Sequence, residues 1–421
     1  MTTMSFRFQP KIAIWLVVLL AFALRLLALW TYGLHLTLNS DDMGYVRSAK
    51  QLLETGMLTY HRPDEPTVHI MPGMPLLLAA LFSVFGSGDV GLYAAKLVMI
   101  AFGTGNVYLI YLLGNDLGRP WAGVIAALGT ALFIPLIETD NLTLTEAPFL
   151  FGFLLFIRFA IRLGRHRHMA DFYKLMAAYL FCLFFRPTIA LVPFALLGYF
   201  LLIRYPFRLA IKQVAIAVVL VVLALSPWWV RNYMHYGEFI PLTGSSGDPL
   251  LLGTYQGYGY RYGPSYKEIV NTIETQHPNI NHYEKEKLKK AIAIERMKTW
   301  YRTNPKQWWE SYTIKKTKTQ WEQSFYWIEI FGVSKQKMTS WHQRIVCLAF
   351  ASALLAMFTL KRQRRELLFF LLLIAYFTAL NNVFFAYPRY NLPLMPILFL
   401  LIGLFLSSIA WRPSRKKAAS P

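Results

Sequence analysis

KIAIWLVVLLAFALRLLALW, residues 11–30, decides the fold. Between Lys11 and Trp30 the only charge is Arg25. A hydrocarbon core of about 30 Å is crossed by about 20 helical residues at ~1.5 Å each. A helix also satisfies its own backbone N–H and C=O groups where lipid offers no partner. The stretch is too long for a signal-peptide core, lacks a small-residue cleavage site and ends in aromatics, so it is expected to be a retained signal anchor.

The same texture continues along the chain. Of 421 residues, 56% are hydrophobic, and they come in blocks rather than in the mixed patterning of a soluble core. The blocks are 11–30, 72–86, 90–113, 120–137, 146–163, 172–185, 188–204, 209–228, 341–360, 366–386 and 391–411. Block 72–86 is short, ~22 Å of helix, and lies between Pro72-Gly73-Met74-Pro75 and Gly86-Ser87-Gly88. It is expected to lie in the interface or dip in, which leaves about ten spans.

Charge tests that count. With ten spans and a cytoplasmic N-terminus, the inner segments hold Arg7 and Lys11; Arg119; Arg158, Arg162, Arg165 and Arg167; Arg204, Arg208 and Lys212; Lys361, Arg362, Arg364 and Arg365; and Arg412, Arg415, Lys416 and Lys417. The outer segments collect Asp41, Asp42, Asp64, Glu65, Asp89, Glu138, Asp140 and Glu146. This obeys the positive-inside rule, and a spanning 72–86 would break it. The expected architecture is an all-α polytopic membrane protein with both termini cytoplasmic. It has an N-terminal transmembrane module over 1–228 with a first outer segment at 31–89. A large outer loop over 229–340 follows, then C-terminal spans and a basic tail over 341–421. Within the outer loop, 282–302 reads as an amphipathic helix with a basic face, fit to lie on the membrane or pack on the bundle.

The net charge of +21 fits basic loops facing an anionic leaflet, and no nucleic-acid motif accompanies it. Cys182 and Cys347 both fall in apolar blocks and imply neither a disulfide framework nor a zinc site.

Residues able to carry chemistry gather near the outer lip. Asp41 and Asp42 follow the first span. They read either as the capped start of a short helix, with Ser40 or Asp41 as N-cap, or as a general base for a hydroxyl nucleophile. Glu138 and Asp140 read as loop acids. Glu146 opens an apolar block, where a carboxylate is costly unless it faces a cavity. Arg186, Arg231 and Arg389 lie on the same side, and a guanidinium fork suits a phosphate. Interfacial anchoring among Trp and Tyr is the plainer alternative for each. Gly103 and Gly105 read as close helix packing.

With those residues on the page, the chain resembles the GT-C superfamily of membrane glycosyltransferases, in the branch of protein O-mannosyltransferases and lipid A aminoarabinose transferases. The resemblance lies in Asp41-Asp42 with Tyr45; His69-Ile70-Met71-Pro72-Gly73-Met74-Pro75; Thr145-Glu146-Ala147-Pro148; and Phe185-Arg186-Pro187-Thr188. It continues through Pro227-Trp228-Trp229-Val230-Arg231-Asn232-Tyr233 and Arg389-Tyr390, the latter followed by Pro393 and Pro396. It implies a polyprenyl-phosphate sugar donor and a hydroxyl acceptor on a glycan, lipid or protein. The implied catalytic acids are Asp41 or Asp42 with Glu146. The donor phosphate would meet Arg186, Arg231, Arg389, Tyr390, His69 and Tyr45. A divalent cation held by Asp42 and Glu146 is an option that the resemblance leaves open. The expected setting is the plasma or inner membrane with the reaction on the outer, periplasmic side, proceeding as an inverting displacement. The rival readings are a lipid-linked glycan flippase or transporter and a glycan polymerase or ligase. Transporters gather ionisable groups at mid-membrane, where this chain offers only Arg25.

Overall fold

The structure is a computed structural model that describes residues 9–410. Arg7, Arg412, Arg415, Lys416 and Lys417 of the charge pattern lie outside them. The described residues are helical, with no strand among them. In chain order the helices are α1 Pro10–Tyr32, α2 Asp41–Thr55, α3 Gly73–Phe85, α4 Asp89–Asp116, α5 Pro120–Leu132, α6 Ile134–Thr139, α7 Glu146–His166, α8 Met169–Phe185 and α9 Val192–Leu202. They continue with α10 Phe207–Tyr236, α11 Gly247–Gly253, α12 Tyr266–Gln276, α13 His282–Thr303, α14 Pro305–Glu310, α15 Lys316–Glu322, α16 Lys335–Thr359, α17 Arg364–Val383 and α18 Met395–Ala410.

Seven helices are long and apolar enough to cross a membrane: α1, α4, α7, α10, α16, α17 and α18, counted with their short end turns. The other three expected spans, 120–137, 172–185 and 188–204, fall on shorter helices. Block 120–137 breaks at Phe133, because Pro135 has no N–H with which to continue α5. Pro187 closes α8 in the same way, and α9 restarts only at Val192. The ten-span expectation thus becomes seven full-length helices with shorter ones packed among them: α5 against α4 and α18, α8 against α7, α9 against α17. Block 72–86 becomes α3, whose 13 residues fall short of a crossing.

One continuous apolar core runs through α1, α4, α5, α7, α8, α16, α17 and α18. By contrast, α10 presents Ile211, Val214, Val218 and Val222 outward, as a helix facing lipid would. The long loop over 229–340 has a small core of its own, Leu250, Leu251, Ile269, Ile273 and Ala293. The expected amphipathic helix is α13, but part of its charged face turns inward. Lys289 bonds Asp248 at 2.8 Å and Glu286 at 3.1 Å. The Arg296 guanidinium lies 4.3 Å from the Tyr255 ring and 4.7 Å from that of Tyr260.

Two buried lysines tie the loops over 31–89 and 229–340 to the bundle. Lys96 on α4 donates to the carbonyls of Gly33, Leu36 and Asn141 at 3.1, 2.7 and 2.9 Å. Lys316 donates to those of Asn382 and Phe384 at 2.8 and 3.2 Å. At Gly73 a Cβ would come within 2.5 Å of the Phe184 carbonyl oxygen. That absence of a side chain lets the start of α3 sit on the end of α8, two residues from Arg186.

Candidate active site

The site is assembled from four chain ends: the start of α2, the start of α7, the end of α8 and the Pro388–Leu394 turn before α18. Each ends a helix at the same level of the bundle, so polar side chains from all four can meet without a charge standing in the apolar core.

Asp41 and Asp42 are neighbours with opposite fates. Asp42 is buried, and its Oδ2 accepts from Thr37 Oγ1 at 2.5 Å and from the Leu38 N–H at 2.8 Å. Its Oδ1 accepts from the Ser40 N–H at 3.1 Å. It therefore holds the turn into α2, while Ser40 makes no side-chain cap, contrary to the capping expectation. Asp41 points the other way. Its side chain is 45% exposed, and Oδ2 accepts from Arg389 Nη1 at 2.6 Å. Its Oδ1 accepts from the Tyr60 hydroxyl at 3.3 Å.

Arg389 then reaches Glu146, donating from Nε to Oε1 and from Nη2 to Oε2, the latter at 3.2 Å. Arg186 Nη2 donates to the same Oε1 at 2.6 Å, and its Nε to Thr145 Oγ1 at 2.8 Å. Glu146 is buried, and a buried carboxylate is tolerable only when paired in this way. Two cations and two acids thus form one chain, Asp41–Arg389–Glu146–Arg186, whose exposed end is Asp41. Tyr45 lies beside it. Burial, and next the charge of Asp41, push its phenol up to about 12, while Arg389 and Arg186 pull the other way. Tyr390 feels the same four charges.

Besides Asp42, two expected members, Arg231 and His69, are not in this chain. Arg231 is spent on the segment over 31–89, donating to the carbonyls of Thr67 at 2.6 Å and Leu58 at 3.2 Å, with its guanidinium 5.1 Å from the Trp228 ring. His69 is one step removed, stacked at 5.1 Å on Tyr60, which bonds Asp41. The Tyr- and Gly-rich residues 253–263 are docked against the bundle: Gln256 exchanges bonds of 2.7 and 2.8 Å with Ala386, and Arg296 bonds Thr254 at 3.0 Å. The loop acids are internal ties. Glu138 accepts from the Trp327 and Ile328 N–H groups at 3.0 and 2.7 Å, and Asp140 pairs with Arg25 at 2.8 Å.

A divalent cation on Asp42 and Glu146 does not fit these residues. The oxygens of Asp42 are taken by backbone and threonine donors, and those of Glu146 by two guanidinium groups. A hard cation needs several free oxygens converging on one point.

Tyr60, Thr145 and Phe325, whose ring lies 5.5 Å from the Arg389 guanidinium, complete the surroundings. Thr145 belongs to the motif already read at Glu146, though without a site role. Tyr60 and Phe325 carry no local signal, since only the fold brings them in.

Residues 64–230 match the family described as dolichyl-phosphate-mannose-protein mannosyltransferase. No curated protein matches the chain by sequence. Among solved structures, the oligosaccharyltransferase AglB from Archaeoglobus fulgidus, in complex with an inhibitory peptide and a dolichol-phosphate, is similar in fold. Its TM-score is 0.59 at 13% identity, covering 95% of this chain and 50% of that one. The Archaeoglobus fulgidus oligosaccharyltransferase in complex with Zn and sulfate gives 0.55 at 13% identity, covering 94% and 49%. ArnT from Cupriavidus metallidurans bound to undecaprenyl phosphate gives 0.43 at 13%, covering 94% and 77%, too low for a comparison of sites. The chain spans about half the length of the archaeal structures. It is a polytopic membrane protein with the fold of the GT-C glycosyltransferases, and over residues 64–230 it carries the mannosyltransferase family pattern.

Proposed function

We propose that this protein transfers a sugar from a polyprenyl-phosphate-linked donor to a hydroxyl acceptor, on the outer face of the plasma membrane. The observation that carries this reading is the Asp41–Arg389–Glu146–Arg186 chain, with a half-exposed carboxylate at its water end and guanidinium groups behind it. The archaeal structure of this fold holds a dolichol-phosphate, and a lipid phosphate is the ligand such arginines suit.

The donor phosphate takes up N–H groups of Arg389 and Arg186, and Glu146 holds both guanidiniums in position. Release of Arg389 toward the phosphate leaves an Asp41 oxygen open to the acceptor. As the acceptor oxygen bonds the anomeric carbon, its proton passes to Asp41. The bond from that carbon to the phosphate oxygen breaks with its electron pair. Polyprenyl phosphate leaves with a further negative charge, which the arginines stabilise. A single displacement of this kind inverts the anomeric centre. No step uses a metal ion. The isoprenoid tail has a place in an apolar groove of about 770 Å³ lined by Met297, Trp308, Tyr312, Trp321, Phe350 and Ile374. Its lining residue Trp321 lies four positions before the Phe325 whose ring faces Arg389.

The test is release of polyprenyl phosphate from a panel of polyprenyl-phosphate monosaccharides by detergent-solubilised protein. Asp41→Asn is expected to lower turnover by about 10²–10⁴-fold, the usual share of a general base. Asp42→Asn should act mainly on stability. Equal turnover by wild type and Asp41→Asn would sink the assignment of the base. No release from any donor, with tight binding of a lipid-linked oligosaccharide, would favour a flippase or polymerase.

A further inference from the structure

Beside the proposed reaction centre lies a cluster that the reaction does not use. His61 and His69 come from the first outer segment, and His282 is the first residue of α13. One ring nitrogen of each lies within 4.8 Å of those of the other two. Ring centroids are 4.4 Å apart for His61–His69, 3.8 Å for His61–His282 and 5.3 Å for His69–His282. Among the described residues this is the one group of three or more histidine, cysteine or acidic side chains so arranged.

Packing alone leaves the cluster unexplained. His69 Nδ1 and His282 Nε2 are buried with no hydrogen-bond partner. Buried ring nitrogens normally find one, and two orphans within one such cluster want a ligand. We propose that His61, His69 and His282 bind a zinc-class transition-metal ion, with the fourth position open to water.

Imidazole nitrogens without thiolate or clustered carboxylate suit zinc and its neighbours rather than calcium or magnesium. Bonds of about 2.0–2.1 Å in a tetrahedron set ligand nitrogens ~3.4 Å apart, within reach of small ring rotations from the present spacing. His61 is exposed and gives the ion a path from water. The Glu286 carboxylate stands 3.9 Å from His282 Nε2 and is itself held by Lys289 at 3.1 Å, so it can orient the bound water. His282 is anchored, since its N–H donates to Glu65 Oε1 at 2.6 Å.

The ion would cross-link the first outer segment to the outer loop. Tyr60 is edge-on to His61 at 5.0 Å, stacks on His69 at 5.1 Å and bonds Asp41, so the cross-link would steady one wall around Asp41. The binding claim itself does not depend on the transferase reading.

The experiment uses the full chain, purified in detergent, stripped with a chelator and titrated with zinc against a competing indicator. One zinc per chain is expected, with a raised unfolding temperature. Cobalt should give the visible absorption of a tetrahedral nitrogen site. Losing an outer partner of a metal ligand costs about 10–100-fold in affinity, so His61→Ala, His69→Ala and His282→Ala should each cost at least the upper figure. Asp41→Asn should bind zinc as wild type does. Wild type that takes up no stoichiometric zinc, or shows no thermal shift, overturns the proposal whatever the variants do. So does full affinity in the folded His61→Ala/His69→Ala double variant, judged by its elution as a monodisperse particle.

Discussion

Two arginine–acid pairings, one inside the bundle and one at its lip, use the same chemistry to opposite ends. Inside, Arg25 and Asp140 meet at 2.8 Å with side chains 1% and 2% exposed. Arg25 also donates to the Ala21 carbonyl at 3.1 Å, and a Cβ on Gly103 would lie 2.1 Å from the Asp140 carboxylate, so no ligand has room. At the lip, Arg389 is divided between two acids, one buried and one 45% exposed. A closed pair can only hold helices together. A guanidinium shared between a buried anchor and an open carboxylate can exchange one partner for a substrate. Arg25 was the single mid-membrane candidate on which a transport reading could draw, and it is spent on Asp140.

The largest effect should come from breaking the inner pair. Arg25→Met leaves Asp140 charged and unpartnered, which costs about 3–5 kcal/mol. The double variant Arg25→Met/Asp140→Asn removes both charges and should recover most of that loss. Unfolding midpoints in detergent read both, with turnover per folded molecule nearly unchanged. A double variant no better than the single would show that the pair contributes net attraction and not merely mutual neutralisation.

The lip should answer differently. Arg389→Lys keeps the charge but not the fork that spans Asp41 and Glu146. Turnover is expected to fall by about 10²–10³-fold, the scale of losing one transition-state donor, while the unfolding midpoint moves far less than for Arg25→Met. Loss of stability without loss of turnover would make Arg389 another structural tie and erase the contrast.

The apolar blocks were legible because lipid imposes length rules on any chain that crosses it. The short spans were not, because an apolar run conceals its own breaks: Phe133 is as apolar as its neighbours, and only Pro135 marks the interruption. The choice between Asp41 and Asp42 was closed to the sequence for a geometric reason. Adjacent residues on a helix point about 100° apart, and which direction faces the site depends on where Arg389, 348 positions away, is delivered. Arg231 sits in a motif as suggestive as that of Arg389, yet it serves the carbonyls of Thr67 and Leu58. Nothing in a linear pattern records which carbonyls lack partners. His282 lies 221 positions from His61, so their meeting was equally hidden.

The smallest effect concerns the histidine cluster, and it separates a charged lip from a neutral one. Burial above all, helped by the neighbouring histidines and Lys289, lowers His69 to about 3 and His61 and His282 to about 4. Asp248, Glu286 and Glu274 oppose this without reversing it. In an unfolded chain the same rings titrate near 6.5. Between about pH 6.5 and 4 the unfolded chain therefore binds protons that the folded chain refuses, and stability falls as the pH falls. His61 is exposed and should contribute least. For metal-stripped protein, the unfolding midpoint should drop between pH 7 and 5 by about 2–4 °C more than in the His61→Gln/His69→Gln/His282→Gln variant, the shift that about 1 kcal/mol produces in a chain of a few hundred residues. Comparison with that variant cancels every other group that titrates in the range. Bound zinc should steepen the wild-type loss, since protons compete with the ion for the same nitrogens. Parallel curves for wild type and variant would mean that the rings are already solvated in the fold, leaving Tyr60 and Asp41 without this neutral wall behind them.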